Sequence, residues 1–300
     1  MVLIVLDKNY LIPSLFVLDQ ITCTSFEKYH LELWIEGKPD DKFTKLVSRF
    51  LKKLNSSNNS ISIEFFSTKG LSGYKYLTSS AWGKFYALSK LRTQESNILY
   101  IDSDVMLLPG WDMIWNYAYA KNFGFGAITY DGHENFVKLF PDENQEYYYF
   151  NSGVLLLKSK WWFKQKLDLS WLDFANKSIE LGFKRLDQDL FNYLIRGNHT
   201  RLPAEFNQKP YELSQNSKII HFAGAAKPWG FFWRLLSNMN DIQDHKIAHS
   251  IYRKKINRFY YNFIKKFPIL GTFNLIIHWN RFTVMNLRNL WRNLNKTLHI

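Results

Sequence analysis

The sequence predicts an α/β fold built on a mostly parallel sheet flanked by helices. Three observations carry the prediction. Short apolar strands alternate with stretches of helical period, one strongly apolar strand runs into two aspartates, and the charge divides the chain into a nearly neutral body and a basic tail. With 300 residues and 46% hydrophobic content the chain can bury a substantial core. Cys23 is the single cysteine, which excludes an intramolecular disulfide and a cysteine metal cluster and suits a reducing compartment. The apolar run at 1–6 ends at Asp7-Lys8, so it is too short for a secretory signal or a membrane span and reads as a first strand. Of 39 basic residues, eleven lie at or after Lys246, and no Asp or Glu follows Asp244. The first 244 residues therefore hold 28 basic groups against 26 acidic ones, a net of +2 out of the total +13.

Taken in order, the strand at 2–6 leads into the polar loop Asp7-Lys8-Asn9-Tyr10, at the strand end where α/β sheets usually hold ligands. An apolar helix begins near Pro13. Residues 31–35 form a second strand, and Phe43, Leu46, Val47, Phe50, Leu51 and Leu54 recur at helical spacing. The Asn/Ser-rich stretch 55–60 is a turn before a strand at 61–66. A helix over 81–91 carries Lys84 and leads into the strand before Asp102. Pro109-Gly110 turns the chain into a short helix at 111–120, followed by a strand at 125–129. Residues 130–149 are polar and aperiodic, a loop able to close over a substrate. An Asn-x-Gly, Asn151-Ser152-Gly153, opens an apolar strand at 150–157, and a helix over 171–181 stops at Gly182. Asp187-Gln188-Asp189 heads another short helix. A strand at 218–222 runs into His221-Phe222-Ala223-Gly224-Ala225-Ala226-Lys227-Pro228-Trp229.

Asp102 and Asp104 stand two apart at a strand end, and extended backbone aims both carboxylates to one side. They repel unless a cation or a positive partner lies between them, and hard divalent ions suit that role. Solvated acids at a strand end are the alternative. For Asp187 the alternative to a site role is an ordinary helix cap.

Together, Asp7-Lys8-Asn9-Tyr10, Leu99-Tyr100-Ile101-Asp102-Ser103-Asp104, Phe150-Asn151-Ser152-Gly153, Asp187-Gln188-Asp189 and His221-x-x-Gly224-x-x-Lys227-Pro228-Trp229 resemble the family 8 retaining glycosyltransferases. That group includes bacterial lipopolysaccharide galactosyl- and glucosyltransferases and the glycogenins, and the resemblance spans about residues 1–230. It implies a GT-A fold and a nucleotide-sugar donor, usually a UDP-sugar, with Mn²⁺ as the ion and Mg²⁺ as the alternative. By the same resemblance Asp102, Asp104 and His221 ligate the metal, Ser103 lies with the donor-binding residues, and Lys227 and Gly224 meet the donor phosphates. Asp7, Asn9 and Tyr10 hold the nucleoside, with Tyr10 stacked on the base. Lys84 takes the place of a donor-contacting arginine, keeping the charge without the bidentate fork. Asn151, Asp187 and Gln188 line the sugar pocket, and Asp189 either joins them or caps its helix. Gln188 falls near the anomeric carbon. An amide is a poor nucleophile, so Gln188 and Asp187 are read as acting by positioning and electrostatic stabilisation.

In the tail, Ile251, Tyr252, Ile256, Phe259, Tyr260, Phe263, Ile264 and Phe267 share one helical face, with Lys254, Lys255, Arg258, Lys265 and Lys266 opposite. Residues 273–298 repeat the pattern, and neither stretch is apolar enough to span a bilayer. Two basic, aromatic, amphipathic helices read as an attachment to an anionic membrane surface; packing on the catalytic body is the alternative. No nucleic-acid module accompanies the tail. The expected organisation is a catalytic domain at 1–245 and a membrane-surface tail at 246–300. The expected activity is a metal-dependent hexosyltransferase that passes galactose or glucose from a UDP-sugar to a lipid-linked glycan acceptor. It would work at the cytoplasmic face of the bacterial inner membrane. A catalytically silent nucleotide- or carbohydrate-binding protein of the same fold is the alternative from a different class.

Overall fold

The computed structural model describes residues 1–7, 10–24, 27–37, 51, 60–71, 73, 79–91, 96–129, 148–223 and most of 247–259. The helical pattern at 43–54 (except Leu51), the loop at 130–147, Asn9, Gly224, Lys227 and the tail beyond 259 lie outside the described residues. The chain divides into two compact units, Met1–Gln208 with Gln215–His221, and Lys209–Ser214 with Phe222–Ile300.

The first unit is a mixed seven-stranded sheet with helices against it. Its strands are β1 (Val2–Leu6), β2 (His30–Glu36), β3 (Ser60–Phe66), β4 (Asn97–Ile101), β6 (Phe125–Thr129), β7 (Phe150–Lys158) and β8 (Thr200–Arg201), in the order β3-β2-β1-β4-β7-β6-β8. β1 runs parallel to both β2 and β4, β2 is parallel to β3 and β6 to β8, while β7 is antiparallel to β4 and β6. β1 is buried at every position and β2 and β4 at nearly every one, as parallel strands covered on both faces require. The edge strand β3 is mostly half-exposed. A separate pair, β5 (Val105–Leu107) and β9 (Ile219–His221), is antiparallel, with Val105 opposite His221.

This order decides where the polar residues gather. Asp7 follows β1 and Asp102 follows β4, and because the two strands are parallel both stand at the same edge. Since β7 is antiparallel to β4, its first residues, Phe150 and Asn151, lie at that edge too. The strand order reverses between β1 and β4, the switch point at which open α/β sheets leave a crevice.

The helices are α1 (Leu11–Thr24), α2 (Gly83–Lys90), α3 (Ser159–Lys164), α4 (Leu167–Asn176) and α5 (Asp187–Ile195). Gly83 lets α2 sit on the sheet, because a Cβ there would lie 2.3 Å from the Phe66 ring and 2.7 Å from Val5 Cγ1. An aromatic core clamps α2, α4 and α5 together: Phe85 stacks on Phe191 at 4.1 Å and on Trp171 at 5.9 Å.

Some elements depart from the sequence reading. Residues Trp111–Tyr119 form a 3₁₀ segment. The helix expected at 171–181 runs over Leu167–Asn176, and tighter turns carry the chain to Gly182 at φ 71°. The strand expected at 218–222 belongs to the small β5–β9 pair outside the main sheet.

In the second unit, the described residues of 247–259 are helical. Ala248, Tyr252, Ile256 and Phe259 are buried, whereas Lys254, Lys255 and Arg258 are exposed. The Tyr252 ring meets Phe222 edge-on at 4.9 Å. Four apolar residues of this segment are therefore covered, while its described basic residues and Ile247 are exposed. Among the described residues no helix is long and apolar enough to cross a membrane.

Candidate active site

At the end of β4 the chain leaves the sheet in a turn, with the Asp102 N–H donating to the Gly153 carbonyl at 2.8 Å. The turn, not strand alternation, brings Asp102 and Asp104 to one side. β5 then pairs with β9, which delivers His221 beside them. His221 Nε2 lies 3.3 Å from Asp104 Oδ1 and 3.6 Å from Asp102 Oδ2. One ligand atom from each of Asp102, Asp104 and His221 falls within 4.8 Å of the others. Ligands adjacent on an ion bound at ~2.1 Å stand about 3 Å apart, so these three fit one divalent cation. A set of two carboxylates and an imidazole suits a first-row ion better than an all-oxygen Mg²⁺ cage. Ser103, between the two aspartates, is buried and bonded at 2.7 Å to the Ser14 hydroxyl, which also donates to the Tyr10 carbonyl at 2.7 Å. Ser103 thus ties the aspartate turn to α1 and to Tyr10.

The two oxygens of Asp102 have separate duties. Oδ1 accepts the Tyr100 hydroxyl at 2.5 Å and Lys84 Nζ at 3.1 Å, while Oδ2 faces His221. Burial first, then the Asp102 charge, pushes the Tyr100 hydroxyl well above its ordinary pKa, so it stays protonated and donates. Lys84 is itself buried and contacts Asp187 Oδ2 at 2.6 Å and the Ser152 carbonyl and hydroxyl at 3.1 and 3.2 Å. Burial pulls this ammonium down, but Asp102 and Asp187 together outweigh burial and hold its pKa above the usual value. Lys84 is thus a buried cation between Asp102 and Asp187, a positive partner for one member of the Asp102/Asp104 pair.

Asp187, Gln188 and Asp189 begin α5, and they divide their work. The residue before them, Leu186, holds φ 39° and makes no side-chain cap. Asp187 Oδ2 takes the Ser152 hydroxyl at 2.8 Å as well as Lys84, so this carboxylate faces the site and does not cap the helix. Asp189 turns away: Oδ2 accepts the backbone N–H groups of Lys184 and Arg185 at 2.7 and 2.8 Å, and Oδ1 accepts the Tyr149 hydroxyl. It clamps the turn that leads into Leu186. Gln188 accepts from Asn151 Nδ2 at 2.8 Å and donates to the Tyr149 hydroxyl at 3.0 Å. Asn192 pins the start of β7 by pairing with both the N–H and the carbonyl of Phe150 at 2.9 Å.

Asn151 links this half of the site to the other. Its Oδ1 accepts from the Gly153 N–H and from Asn207 Nδ2, each at 2.9 Å, and Asn207 Oδ1 meets His221 Nδ1 at 2.9 Å. The His221 ring lies against Gly153 so closely that a Cβ there would sit 2.1 Å from Cε1. Hydrogen bonds and ion pairs thus join Lys84, Asp102, Asp104, Asn151, Asp187, Gln188 and His221 in one cluster. Asp7 is buried at the end of β1 and accepts the Ser80 hydroxyl at 3.4 Å. Its carbonyl accepts the Tyr10 N–H at 3.1 Å. Sequence reasoning passed over Tyr100, Tyr149, Ser152, Asn192 and Asn207. Ser152 and Tyr100 carry a local signal, their places inside the Asn-x-Gly and just before Asp102.

Comparison with known proteins agrees with this geometry. The family profile "Glycosyl transferase family 8" matches residues 1–232. A lipopolysaccharide 1,2-glucosyltransferase of Escherichia coli is 21% identical over 288 residues, spanning 83% of this chain and 85% of that protein. General stress protein A of Bacillus subtilis is 26% identical over 152 residues, 44% of this chain and 52% of its own length. Among solved structures, the galactosyltransferase LgtC in complex with donor and acceptor sugar analogs superposes with a TM-score of 0.64 at 17% identity, covering 85% of this chain and 99% of that one. This likeness is one of fold.

Proposed function

The chain belongs to glycosyl transferase family 8, and from that premise we propose that it moves a hexose, galactose or glucose, from a UDP-sugar to a saccharide acceptor of lipopolysaccharide or a related surface glycan, with retention of configuration. The observation that carries the reading is the convergence of Asp102, Asp104 and His221 beside the buried Lys84–Asp187 pair at the switch point of the sheet. Asp102, Asp104 and His221 would hold a divalent ion, Mn²⁺ before Mg²⁺ given the imidazole, whose positive charge would offset that of the departing nucleoside diphosphate.

The protein's own groups do the rest. At Asp187, beside the sugar pocket, burial pushes the carboxyl up while Lys84 and the Ser152 hydroxyl pull it back, and the carboxylate of this ion pair stabilises positive charge developing at the anomeric carbon. Gln188 has its oxygen held by Asn151 and its nitrogen by Tyr149, so it acts as a fixed dipole rather than a nucleophile. Departure and attack on one face of the sugar then account for retention without a covalent intermediate. Asp7, Asn9 and Tyr10 take the nucleoside, and Gly224 and Lys227 the diphosphate. The test is UDP release from a panel of UDP-sugars by the purified protein with Mn²⁺. Turnover that is lost in Asp104→Asn supports the reading; no release from any donor, with nucleotide binding unchanged in Asp104→Asn, would leave a silent binding protein instead.

The basic tail extends the proposal to a lipid-linked acceptor at the cytoplasmic face of the bacterial inner membrane. Because four apolar residues of 247–259 are buried, attachment there runs through Lys254, Lys255 and Arg258, each worth about 1 kcal/mol near an anionic surface. Sedimentation with anionic vesicles should be salt-sensitive, and equal pelleting of a protein lacking residues 246–300 would sink this part.

A further inference from the structure

The hydrogen bonds around His221 have only one consistent assignment of protons. A backbone N–H always donates, so the Asn151 atom 2.9 Å from the Gly153 nitrogen is the oxygen. The Asn207 atom that meets this same oxygen at 2.9 Å must then be its NH₂ group. The remaining Asn207 atom, 2.9 Å from His221 Nδ1, is the carbonyl oxygen, which can only accept. Nδ1 therefore carries a hydrogen. In the neutral ring the lone pair is left on Nε2, the atom that faces Asp102 and Asp104 at 3.6 and 3.3 Å.

We propose that Asn207 is a positioning residue that locks His221 in its Nδ1–H tautomer, through a chain of amides anchored on the Gly153 backbone, and so presents Nε2 as a ligand to a divalent cation. The inference rests on the metal reading of the site given above. Without the Asn207 acceptor, the proton moves to Nε2, drawn by two carboxylates, and the lone pair turns away from the ion. In the wild type bulk water does not compete for these bonds, since Asn207, His221 and Asn151 are 1%, 3% and 7% exposed. The same anchor acts in the other direction: Asn151, held through its oxygen, turns its NH₂ to Gln188 and sets which way that amide points. One backbone donor thereby orders the proposed metal ligand at one end and the sugar-facing amide at the other.

The test uses full-length protein labelled with ¹⁵N-histidine, freed of metal and held at pH 8. Long-range ¹H–¹⁵N spectra should show Nδ1 protonated and Nε2 bare in the wild type, and a shift of the proton to Nε2 in Asn207→Ala. Calorimetric titration with Mn²⁺ should show Asn207→Ala weakened 10- to 100-fold, the usual cost of removing a partner that orients a metal-bound histidine. Asn207→Asp keeps an acceptor for Nδ1 but opposes an oxygen to Asn151. It should retain the tautomer and most of the Mn²⁺ affinity while melting at a lower temperature. A purely structural role predicts the opposite pattern, with both variants losing Mn²⁺ in step with stability, and that result would overturn the proposal. So would a wild-type spectrum with Nε2 protonated. If Asn207→Ala does not fold, the wild-type spectrum and Asn207→Asp decide the matter. Absence of Mn²⁺ binding in the wild type overturns the metal reading, and the spectra then judge the tautomer lock by themselves.

Discussion

Replacing Gly153 with alanine tests the packing on which the His221 position depends. Gly153 is not among the glycines with positive φ, so alanine suits its backbone, and the whole effect comes from one added methyl. That carbon would lie 2.1 Å from His221 Cε1, 2.6 Å from Nδ1 and 2.8 Å from Nε2. Carbon atoms in contact sit ~3.5–4.0 Å apart, so a gap of roughly 1.5 Å has to open. β7 is paired on both sides, with β4 and with β6, which leaves the imidazole as the part that yields. Overpacking of this kind costs about 1–3 kcal/mol. A ring pushed back by more than an ångström also carries Nε2 out of range of Asp102 and Asp104. The expected outcome is a lower melting temperature in metal-free protein and loss of the Mn²⁺-dependent rise in melting temperature expected for the wild type. The double variant Gly153→Ala, His221→Ala should recover stability but not the response to Mn²⁺, because the two positions are in direct contact. Wild-type stability together with an undiminished Mn²⁺ response in Gly153→Ala would refute the reasoning.

Lys84→Met strips the cation from the buried Asp187 at 2.6 Å and the partly exposed Asp102 at 3.1 Å and should destabilise the protein by about 3 kcal/mol in urea titrations, with UDP release lost. Asp189→Asn keeps one oxygen for the two backbone N–H groups but sets an NH₂ against the Tyr149 hydroxyl, whose proton loses its acceptor, and should cost about 1–3 kcal/mol by the same assay. Burial first, and Arg201 second, lower His199 to about 4 from its ordinary 6.5; its ring packs on Phe150, and neither ring nitrogen has a hydrogen-bond partner among the described residues. Below pH 6.5 the unfolded chain takes up this proton first, so stability is complete above that value and is lost as pH falls towards 4. The loss is at most about 3 kcal/mol, and His199→Phe should flatten the stability profile across that window.

What the sequence discloses about this molecule follows a physical division. β1, β4 and β7 are legible because a strand covered on both faces must be apolar throughout. Lys84 reads only as a donor contact, and its pairing with Asp102 and Asp187 needs the fold, whereas Asp102 and Asp104 stand out because charge is costly beside such a strand. Even there the route differed: a turn, not extended geometry, aligns the two carboxylates. The amphipathic spacing of Tyr252, Ile256 and Phe259 was equally plain, yet periodicity says only that a face is apolar, not what covers it, and here it is already buried. Asp189 is open to two readings, the sugar pocket or a helix cap, because its partners depend on a backbone turn at 184–185 and on Tyr149, forty residues away. Asn207 gave no signal at all. It stands 14 residues from His221 and 56 from Asn151, and only the order of β4, β7 and the β5–β9 pair brings the three together. Charged groups betray themselves locally because their desolvation must be offset nearby. Neutral amides that hold protons in place have no such local cost, so the residues that orient a site are the ones a sequence conceals, and a fold is needed to find them.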